Sequence, residues 1–222
     1  MRGESTADEI SGQVGSFRFA FGVALVTRTS ILNHLIMKND YQTYLEIGVR
    51  ERNNFDLIQI ENKIGVDPEP LAEIDYKLTS DEFFNSIEAD RRFDLIFIDG
   101  LHLHEQVRKD IKNALEYLGP DGTIVMHDCN PPTEFHQRGN YQVDGAFPEW
   151  NGTVWKSWVE QRCTAPDLSM AVVDTDWGVG VIQRGSQNVY RANPATLNYQ
   201  HLVTNRKAIL NLISVEEFLR VY

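Results

Sequence analysis

The sequence has few cysteines, few basic residues and no long apolar run. Its only cysteines, Cys129 and Cys163, are too few for a disulfide framework, which is typical of a reducing compartment. No segment reaches the roughly 18 apolar residues of a transmembrane helix, and the polar, acidic start (MRGESTADEISG) is unlike a secretory signal peptide. We therefore expect a cytoplasmic globular protein without a membrane partner.

The shortage of basic residues limits the kinds of partner. The 222 residues include 21 Lys and Arg against 32 Asp and Glu, a formal charge of −11. A surface this acidic is poorly suited to the phosphate backbone of a nucleic acid or to an anionic membrane. Apolar residues make up 42% of the chain, enough for a sizeable core. A small molecule is therefore the expected partner.

Strand-like and helix-like segments alternate along the chain. Short apolar runs predict strands at residues 44–48, 64–68, 76–78, 93–99 and 123–126. Helical spacing predicts helices at residues 23–37, 54–60, 81–89, 103–118, 154–162 and 197–212. This order predicts an α/β fold with a Rossmann-like, doubly wound, mostly parallel sheet.

The remaining segments complete the predicted architecture. Runs at residues 168–173 and 178–183 flank a short turn, so we expect the sheet to end in a C-terminal antiparallel strand pair. Residues 119–122 (GPDG) are predicted to end a helix and turn the chain, and residues 129–152 to form an irregular loop. We divide the chain into an N-terminal arm and helix, residues 1–40, and a main domain, residues 41–222.

The ends of the predicted strands are the first candidates for chemistry, because ligands bind beyond the carboxyl ends of parallel strands. Each of these ends carries a carboxylate, a hydroxyl or a glycine: Glu46, Gly48, Asp67, Ser80, Asp81, Asp99 and Asp128. Asp67 follows Gly48 by 19 residues, the spacing at which an acidic side chain binds a ribose hydroxyl, although both could simply form turns. No G-x-G-x-x-G motif follows Gly48, which favours a nucleoside without a pyrophosphate over NAD.

Several of these segments resemble a known family. Residues 44–50 (YLEIGVR) and 64–68 (IGVDP) resemble the first two motifs of class I S-adenosylmethionine-dependent methyltransferases. Residues 93–102 (FDLIFIDGLH) resemble the fourth-strand motif of a bacterial subgroup related to metal-dependent sugar and catechol O-methyltransferases, and residues 155–156 and 174–180 resemble its C-terminal half. The resemblance spans about residues 41–217 and implies S-adenosylmethionine as the cofactor of a methyltransferase domain.

The resemblance also implies a role for each matching position. Glu46 and Gly48 would line the methionine part of the cofactor, and Asp67 would bind the ribose hydroxyls. Residues 80–81 would lie by the adenine, and Asp99 near the transferred methyl group. Acidic walls suit a positively charged sulfonium.

Two mechanisms could remove the acceptor proton. Asp99 and Asp128 end neighbouring predicted strands and could share Mg²⁺, with Asn130 or waters completing an oxygen shell. The family pattern implies Asn directly after the second Asp, where this sequence has Cys129, a poor ligand for magnesium. His102 offers a metal-free alternative, because an imidazole with a reference pKa of ~6.5 can accept a hydroxyl proton. Asp99, His102 and Asp128 are the predicted catalytic residues, and the two aspartates favour the metal.

These observations predict a methyltransferase acting on a small-molecule hydroxyl, with a sugar as one candidate. The alternatives are an N-methyltransferase, a magnesium-free O-methyltransferase, and a non-catalytic protein that binds S-adenosylmethionine or a nucleotide. Tyr141, Phe147 and Trp150 either pack in the core or form a wall for the acceptor. His127 either belongs to the same constellation or is a satisfied strand-end histidine. The N-terminal arm could pack on a second copy in a homo-oligomer.

Overall fold

The computed structural model describes residues 26–222 and, before them, the backbone of residues 13–14 and 17–18. The predicted arm at residues 1–16 and the start of the helix predicted at residues 23–37 lie mostly outside the described residues. The helices are α1 (Arg28–Asn39), α2 (Ser80–Ser86), α3 (His104–Tyr117), α4 (Val154–Thr164), α5 (Tyr199–Leu210) and α6 (Val215–Val221). The strands are β1 (Gln13–Val14), β2 (Phe17–Arg18), β3 (Thr43–Ile47), β4 (Asn62–Val66), β5 (Phe93–Ile98), β6 (Leu118–Met126), β7 (Leu168–Val173), β8 (Val179–Arg184) and β9 (Leu212–Ile213).

The main sheet has seven strands in the order β4-β3-β5-β6-β8-β7-β9. Strands β4, β3, β5 and β6 pair in parallel, whereas β8 is antiparallel to both β6 and β7. This arrangement confirms the predicted Rossmann-like sheet with its C-terminal antiparallel pair. The chain runs from β3 out to β4 and then returns to β5 on the other side of β3. A ligand site is therefore expected at this reversal of strand order.

The central strands are apolar at nearly every position because both faces of the sheet are covered. In β5, Ile96 and Ile98 pack in one buried cluster with side chains of α3 and α4, whereas Leu95 and Phe97 pack in a second cluster with side chains of α1. Successive side chains of a strand point to opposite faces. Each fully buried aliphatic side chain stabilises the fold by roughly 1.5–3 kcal/mol.

Three predicted elements differ from the structure. The strand predicted at residues 76–78 is reduced to a single bridge between Tyr76 and Val66, because residues 71–79 are only exposed or half-buried and offer little apolar surface for a strand. The helix predicted at residues 54–60 is one 3-10 turn, Phe55–Leu57. Residues 119–122, predicted as a turn, lie within β6, where the register against β5 shifts.

Residues 129–152 are irregular, as predicted, apart from one tight turn. Val143 and Ala146 pair in an antiparallel bridge, and the two residues between them have positive φ, 48° at Asp144 and 79° at Gly145. Asp-Gly is a preferred sequence for such two-residue hairpin turns, a signal that the loop interpretation overlooked.

Within the part of the chain that the structure describes, every helix is too short or too polar to cross a bilayer.

Candidate active site

The carboxyl ends of the parallel strands meet closely at the switch point. The Gly48 amide donates to the Val66 carbonyl at 2.8 Å, and the Asp99 amide donates to the Ile47 carbonyl at 2.8 Å. Gly48 has φ +93°, and a Cβ at this position would collide with the Asp99 carbonyl. Glycine is therefore required here both by its backbone conformation and by the close approach of the two strand ends.

Glu46 is buried near the end of β3 among neutral donors. Its Oε2 accepts hydrogen bonds from the Tyr44 hydroxyl at 2.6 Å and from the Asn54 amide at 2.8 Å. Asn54 in turn accepts from the Thr29 hydroxyl of α1 at 2.7 Å. Burial raises the pKa of Glu46 to about 7, although these two hydrogen bonds oppose the shift. A cation bound nearby would favour the ionised carboxylate.

Asp67 follows β4 and is held by backbone amides. Its Oδ2 accepts from the Arg50 amide at 2.9 Å, and its Oδ1 accepts from the Glu69 amide at 2.8 Å. Each carboxylate oxygen can accept a further hydrogen bond. The predicted role at the ribose hydroxyls is therefore compatible with these contacts.

Ser80 and Asp81, at the start of α2, are engaged by α3. The Ser80 hydroxyl donates to Asp110 at 2.6 Å. Gln106 donates to Ser80 and to Asp81, each at 3.1 Å, and Lys109 bonds Asp81 at 2.9 Å. These contacts fix the start of α2 against α3, and the role of Ser80 and Asp81 at the adenine stays a prediction.

Two carboxylates and two imidazoles, which we call the acid–base cluster, meet at the ends of β5 and β6: Asp99, His102, His127 and Asp128. His102 Nε2 lies 3.2 Å from Asp99 Oδ1, and His102 Nδ1 lies 3.3 Å from Asp128 Oδ2. His127 Nδ1 lies 3.1 Å from Asp128 Oδ2 and 3.4 Å from Asp99 Oδ1. Each imidazole therefore contacts both carboxylates.

Two residues without a sequence-predicted role border the cluster. The Arg28 amide, at the start of α1, donates to Asp176 Oδ2 at 2.7 Å. The Arg28 guanidinium lies 3.2 Å from Asp176 and 3.7 Å from Asp99, and Asp176 lies 3.5 Å from His127 Nε2. Asp176 falls within a family-like motif, residues 174–180, whereas no motif marks Arg28.

The charges of the cluster balance one another. Burial alone would lower the pKa of His102 and of His127, but the charges of Asp128 and Asp99 outweigh it and raise both, that of His127 well above its usual range. Burial would raise the pKa of Asp99, yet the two histidines hold it below its usual value. The pKa of Asp176 falls to about 2 despite burial, with the hydrogen bond and charge of His127 as the main cause. The carboxylates thus favour the cationic forms of both histidines.

Residues 150–153 hold the cluster from the loop side. The Asn151 amide donates to Asp128 Oδ1 at 2.6 Å, and the Thr153 amide donates to the His102 carbonyl at 2.7 Å. Gly152 has φ +60°, and a Cβ there would collide with the same carbonyl. This segment therefore fixes the backbone of His102.

The predicted ligand Asn130 has other partners. Its Nδ2 donates to Asp174 at 3.1 Å, and its Oδ1 accepts from Arg206. Both ends of the amide are thus engaged by other residues. Cys129 is fully buried, and burial raises the pKa of its thiol well above the usual value, which disfavours a thiolate nucleophile or ligand.

The residues of the cluster fit a divalent cation. In the described residues, Asp99, His102 and Asp128 each offer one ligand atom, and these atoms lie within 4.8 Å of one another. Carboxylate oxygens suit Mg²⁺, and an imidazole extends the choice to transition metals. The structure thus adds His102 to the predicted aspartate pair, and metal binding would displace the imidazole proton.

Two surface cavities lie elsewhere. One, of about 440 Å³, lies between α3 and α4 and is lined by Arg108, Lys112 and Gln161 among others. The other, of about 330 Å³, lies beside β7 and α6. Neither is lined by a predicted site residue.

Part of the chain matches a known protein family. Residues 50–129 match a family described as a methyltransferase domain. Six of the predicted site residues lie inside the matched segment: Asp67, Ser80, Asp81, Asp99, His102 and Asp128.

Solved structures show the same fold. An O-methyltransferase from Bacillus cereus, in complex with S-adenosylhomocysteine, has a TM-score of 0.52 at 14% identity, over 73% of this chain and 84% of that chain. The O-methyltransferase TomG from Streptomyces achromogenes, in complex with S-adenosylmethionine, has a TM-score of 0.52 at 13% identity, over 72% and 80%. The methyltransferase PaMTH1 from Podospora anserina, bound to S-adenosylhomocysteine, has a TM-score of 0.54 at 16% identity, over 72% and 78%.

No curated protein sequence matches the chain. The partial family match and the solved structures show a methyltransferase fold.

Proposed function

We propose that this protein transfers a methyl group from S-adenosylmethionine to the hydroxyl oxygen of a small molecule. The observation that carries the proposal is the acid–base cluster at the carboxyl edge of a methyltransferase sheet. A hydroxyl acceptor must lose a proton that its oxygen holds tightly at neutral pH, so a cluster of carboxylates and imidazoles suits it. A neutral amine already has a free electron pair and needs no such cluster for attack, which favours O-methylation over N-methylation.

The residues at the ends of β3 and β4 fit the cofactor. Asp67 has free acceptor capacity for two ribose hydroxyls, and Glu46 offers a carboxyl group that a nearby cation would ionise. Gly48 lets the chain cross closely over Asp99. S-adenosylmethionine supplies an electrophilic methyl group on a sulfonium, and the protein supplies orientation and acidic surroundings.

Removal of the acceptor proton falls to the cluster. Asp99, His102 and Asp128 would hold a divalent cation, which would lower the pKa of a bound hydroxyl. We favour this route because three ligand atoms lie within 4.8 Å of one another. In the metal-free route His102 is the base, but its raised pKa favours the protonated imidazolium, which cannot accept a proton. Activity by that route would rise with pH as His102 loses its proton.

The test is methyl transfer by the purified protein. S-adenosylmethionine is incubated with a panel of phenols, catechols and sugars, and formation of S-adenosylhomocysteine is measured with and without EDTA. The metal route predicts that EDTA abolishes turnover and that Mg²⁺ restores it.

Asp128→Asn separates the two routes, because it keeps the shape of the side chain and removes a charge that the cation needs. Asp94→Asn is the matched control. Asp94 lies near the start of β5, at the opposite end of the strand from Asp99, and accepts hydrogen bonds from the Gln42 and Thr43 amides. Near-wild-type turnover of Asp128→Asn in EDTA would exclude the metal and leave His102 as the base.

A further inference from the structure

Three aromatic side chains form a continuous ladder that ends on the acid–base cluster. The rings of Phe147 and Tyr141 stack with centroids 5.6 Å apart, and Tyr141 lies 5.8 Å from Trp150. Trp150 stacks on the imidazole of His102 at 5.1 Å with an interplanar angle of 23°. We call Phe147, Tyr141 and Trp150 the aromatic ladder.

The ladder is built by a tight hairpin. The Val143 amide donates to the Ala146 carbonyl at 3.0 Å, and the Ala146 amide donates back at 2.9 Å. The positive φ of Asp144 and of Gly145 closes the turn between them. This turn brings Tyr141 and Phe147, on opposite arms, into contact.

Arg138 links the two arms of the hairpin to each other and to the residues that flank them. Its guanidinium donates to four backbone carbonyls at 2.8–3.2 Å, those of Phe135, Tyr141, Pro148 and Glu149. The Trp150 indole N–H donates to the Arg138 carbonyl at 2.7 Å. The ladder is therefore held by specific hydrogen bonds at both ends.

Core packing does not account for the ladder. Trp155 and Trp158 are fully buried, whereas Phe147 is 68% and Tyr141 51% exposed. Exposed aromatic faces in a fixed arrangement, with a polar centre beside them, are typical of a subsite for a ring-shaped ligand. Asp144 and Glu149 lie in the same hairpin and would repel an anionic ligand.

We propose that the aromatic ladder is the acceptor subsite: a ring without negative charge stacks on Trp150 and Tyr141 and directs a hydroxyl to the acid–base cluster. This inference rests on the proposed function. Both a neutral sugar and a phenol present a hydroxyl on a ring with a flat apolar face, so the test uses one probe of each kind.

Binding is measured by saturation-transfer NMR on the full chain with S-adenosylhomocysteine present. The ring probes are methyl β-D-glucopyranoside and catechol, and the controls are glucuronate for negative charge and glycerol for a hydroxyl without a ring. We expect at least one ring probe to bind and both controls to fail. A sugar acceptor predicts that the glucoside binds better, and a phenol acceptor predicts the catechol.

The variants assign the binding to the ladder. We expect Trp150→Ala and Tyr141→Ala each to weaken the ring probe by about 2- to 12-fold, the contribution of one aromatic pair. Trp150→Phe should retain most of the affinity. Leu219→Ala, on the exposed surface of α6, is the control for loss of an exposed apolar side chain.

Several results would overturn the proposal. They are failure of both ring probes to bind, equal binding of glucuronate or glycerol, and unchanged ring binding in Trp150→Ala and Tyr141→Ala. Calorimetric binding of S-adenosylhomocysteine to the same preparations separates this outcome from failure of the proposed function. If the cofactor binds and methyl transfer proceeds with an unchanged acceptor KM in both ladder variants, the ladder assignment alone is wrong.

Discussion

The carboxyl edge of the sheet has two halves that hold their carboxylates differently. At the ends of β3 and β4, Glu46 and Asp67 accept hydrogen bonds from neutral donors: a phenol, an amide and backbone N–H groups. At the ends of β5 and β6, Asp99 and Asp128 face imidazoles instead, and a guanidinium lies beside Asp99.

In the proposed function, this difference would separate cofactor binding from acid–base chemistry. Neutral donors leave the negative charge of a carboxylate uncompensated, so it can attract a sulfonium or orient hydroxyls. Ionisable partners couple the proton of each group to those of its neighbours, which allows a proton to move. The same residue types can therefore serve two purposes at one edge because their partners differ.

The largest predicted effect comes from a substitution at the ends of β5 and β6, and it concerns turnover alone. We expect His102→Ala to lower kcat by about 10²–10⁴-fold, whether His102 is a ligand or a base, while the affinity for S-adenosylhomocysteine changes little. Steady-state turnover and calorimetry measure the two quantities. His104→Ala, which removes a neighbouring histidine paired with Glu160, is the control. An equal loss of cofactor affinity in His102→Ala would show that the halves are not separate.

A smaller effect is predicted for the first half. Asp67→Ala should weaken S-adenosylhomocysteine by about 10- to 150-fold, since a charged acceptor of hydrogen bonds is lost at a cost of ~1.5–3 kcal/mol. The Arg50 and Glu69 amides also lose their acceptor, so the melting temperature should fall modestly. Asp67→Asn keeps one acceptor oxygen, so its affinity for S-adenosylhomocysteine should lie between those of the wild type and Asp67→Ala. Unchanged cofactor affinity in folded Asp67→Ala would remove Asp67 from the site.

The ionisation of Glu46 makes the stability of the β3–β4 half depend on pH. Its pKa of about 7 in the folded protein is above that of an unfolded glutamate, so the unfolded chain ionises first as pH rises. Glu46 therefore costs stability progressively between about pH 4.5 and 7, and the full cost is present above pH 7. Glu46→Gln cannot ionise.

Relative to wild type, Glu46→Gln should gain roughly 1–2.5 kcal/mol in free energy of unfolding between pH 5 and pH 8, measured by urea titration without cofactor. The same variant should bind S-adenosylmethionine more weakly, because the carboxylate that would face the sulfonium is gone. A stability difference that stays constant with pH would show that Glu46 is not a buried titrating group.

Much of the fold could be predicted from the sequence, because a buried parallel sheet requires apolar strands separated by helices. The run at residues 93–99 correctly predicted β5, and the acids at the strand ends predicted the edge of the sheet at which the candidate site lies. The strand predicted at residues 76–78 was wrong because Tyr76 and Leu78, on either side of the charged Lys77, offer too little apolar surface to be buried. The register shift between β5 and β6 has no signal in local sequence.

The partners of the site residues were harder to predict. Arg28 reaches Asp99 and Asp176 only because α1 packs on the sheet, a contact that depends on tertiary structure. Asn130 has an oxygen that could bind a metal and lies two residues after Asp128, yet its side-chain amide is hydrogen-bonded to Asp174 and Arg206. Spacing indicates which strand end a residue follows, but not what its side chain contacts.

The central claim is that the β3–β4 half of the edge binds an adenosyl cofactor, and calorimetry on the wild-type protein tests it most directly. S-adenosylmethionine, S-adenosylhomocysteine and NAD are titrated separately, with Asp67→Ala as the matched variant. Binding of the two adenosyl ligands without turnover on any acceptor would favour a sensing protein over an enzyme. The account predicts that both adenosyl ligands bind, that NAD does not, and that Asp67→Ala weakens both. Binding of NAD alone would contradict it.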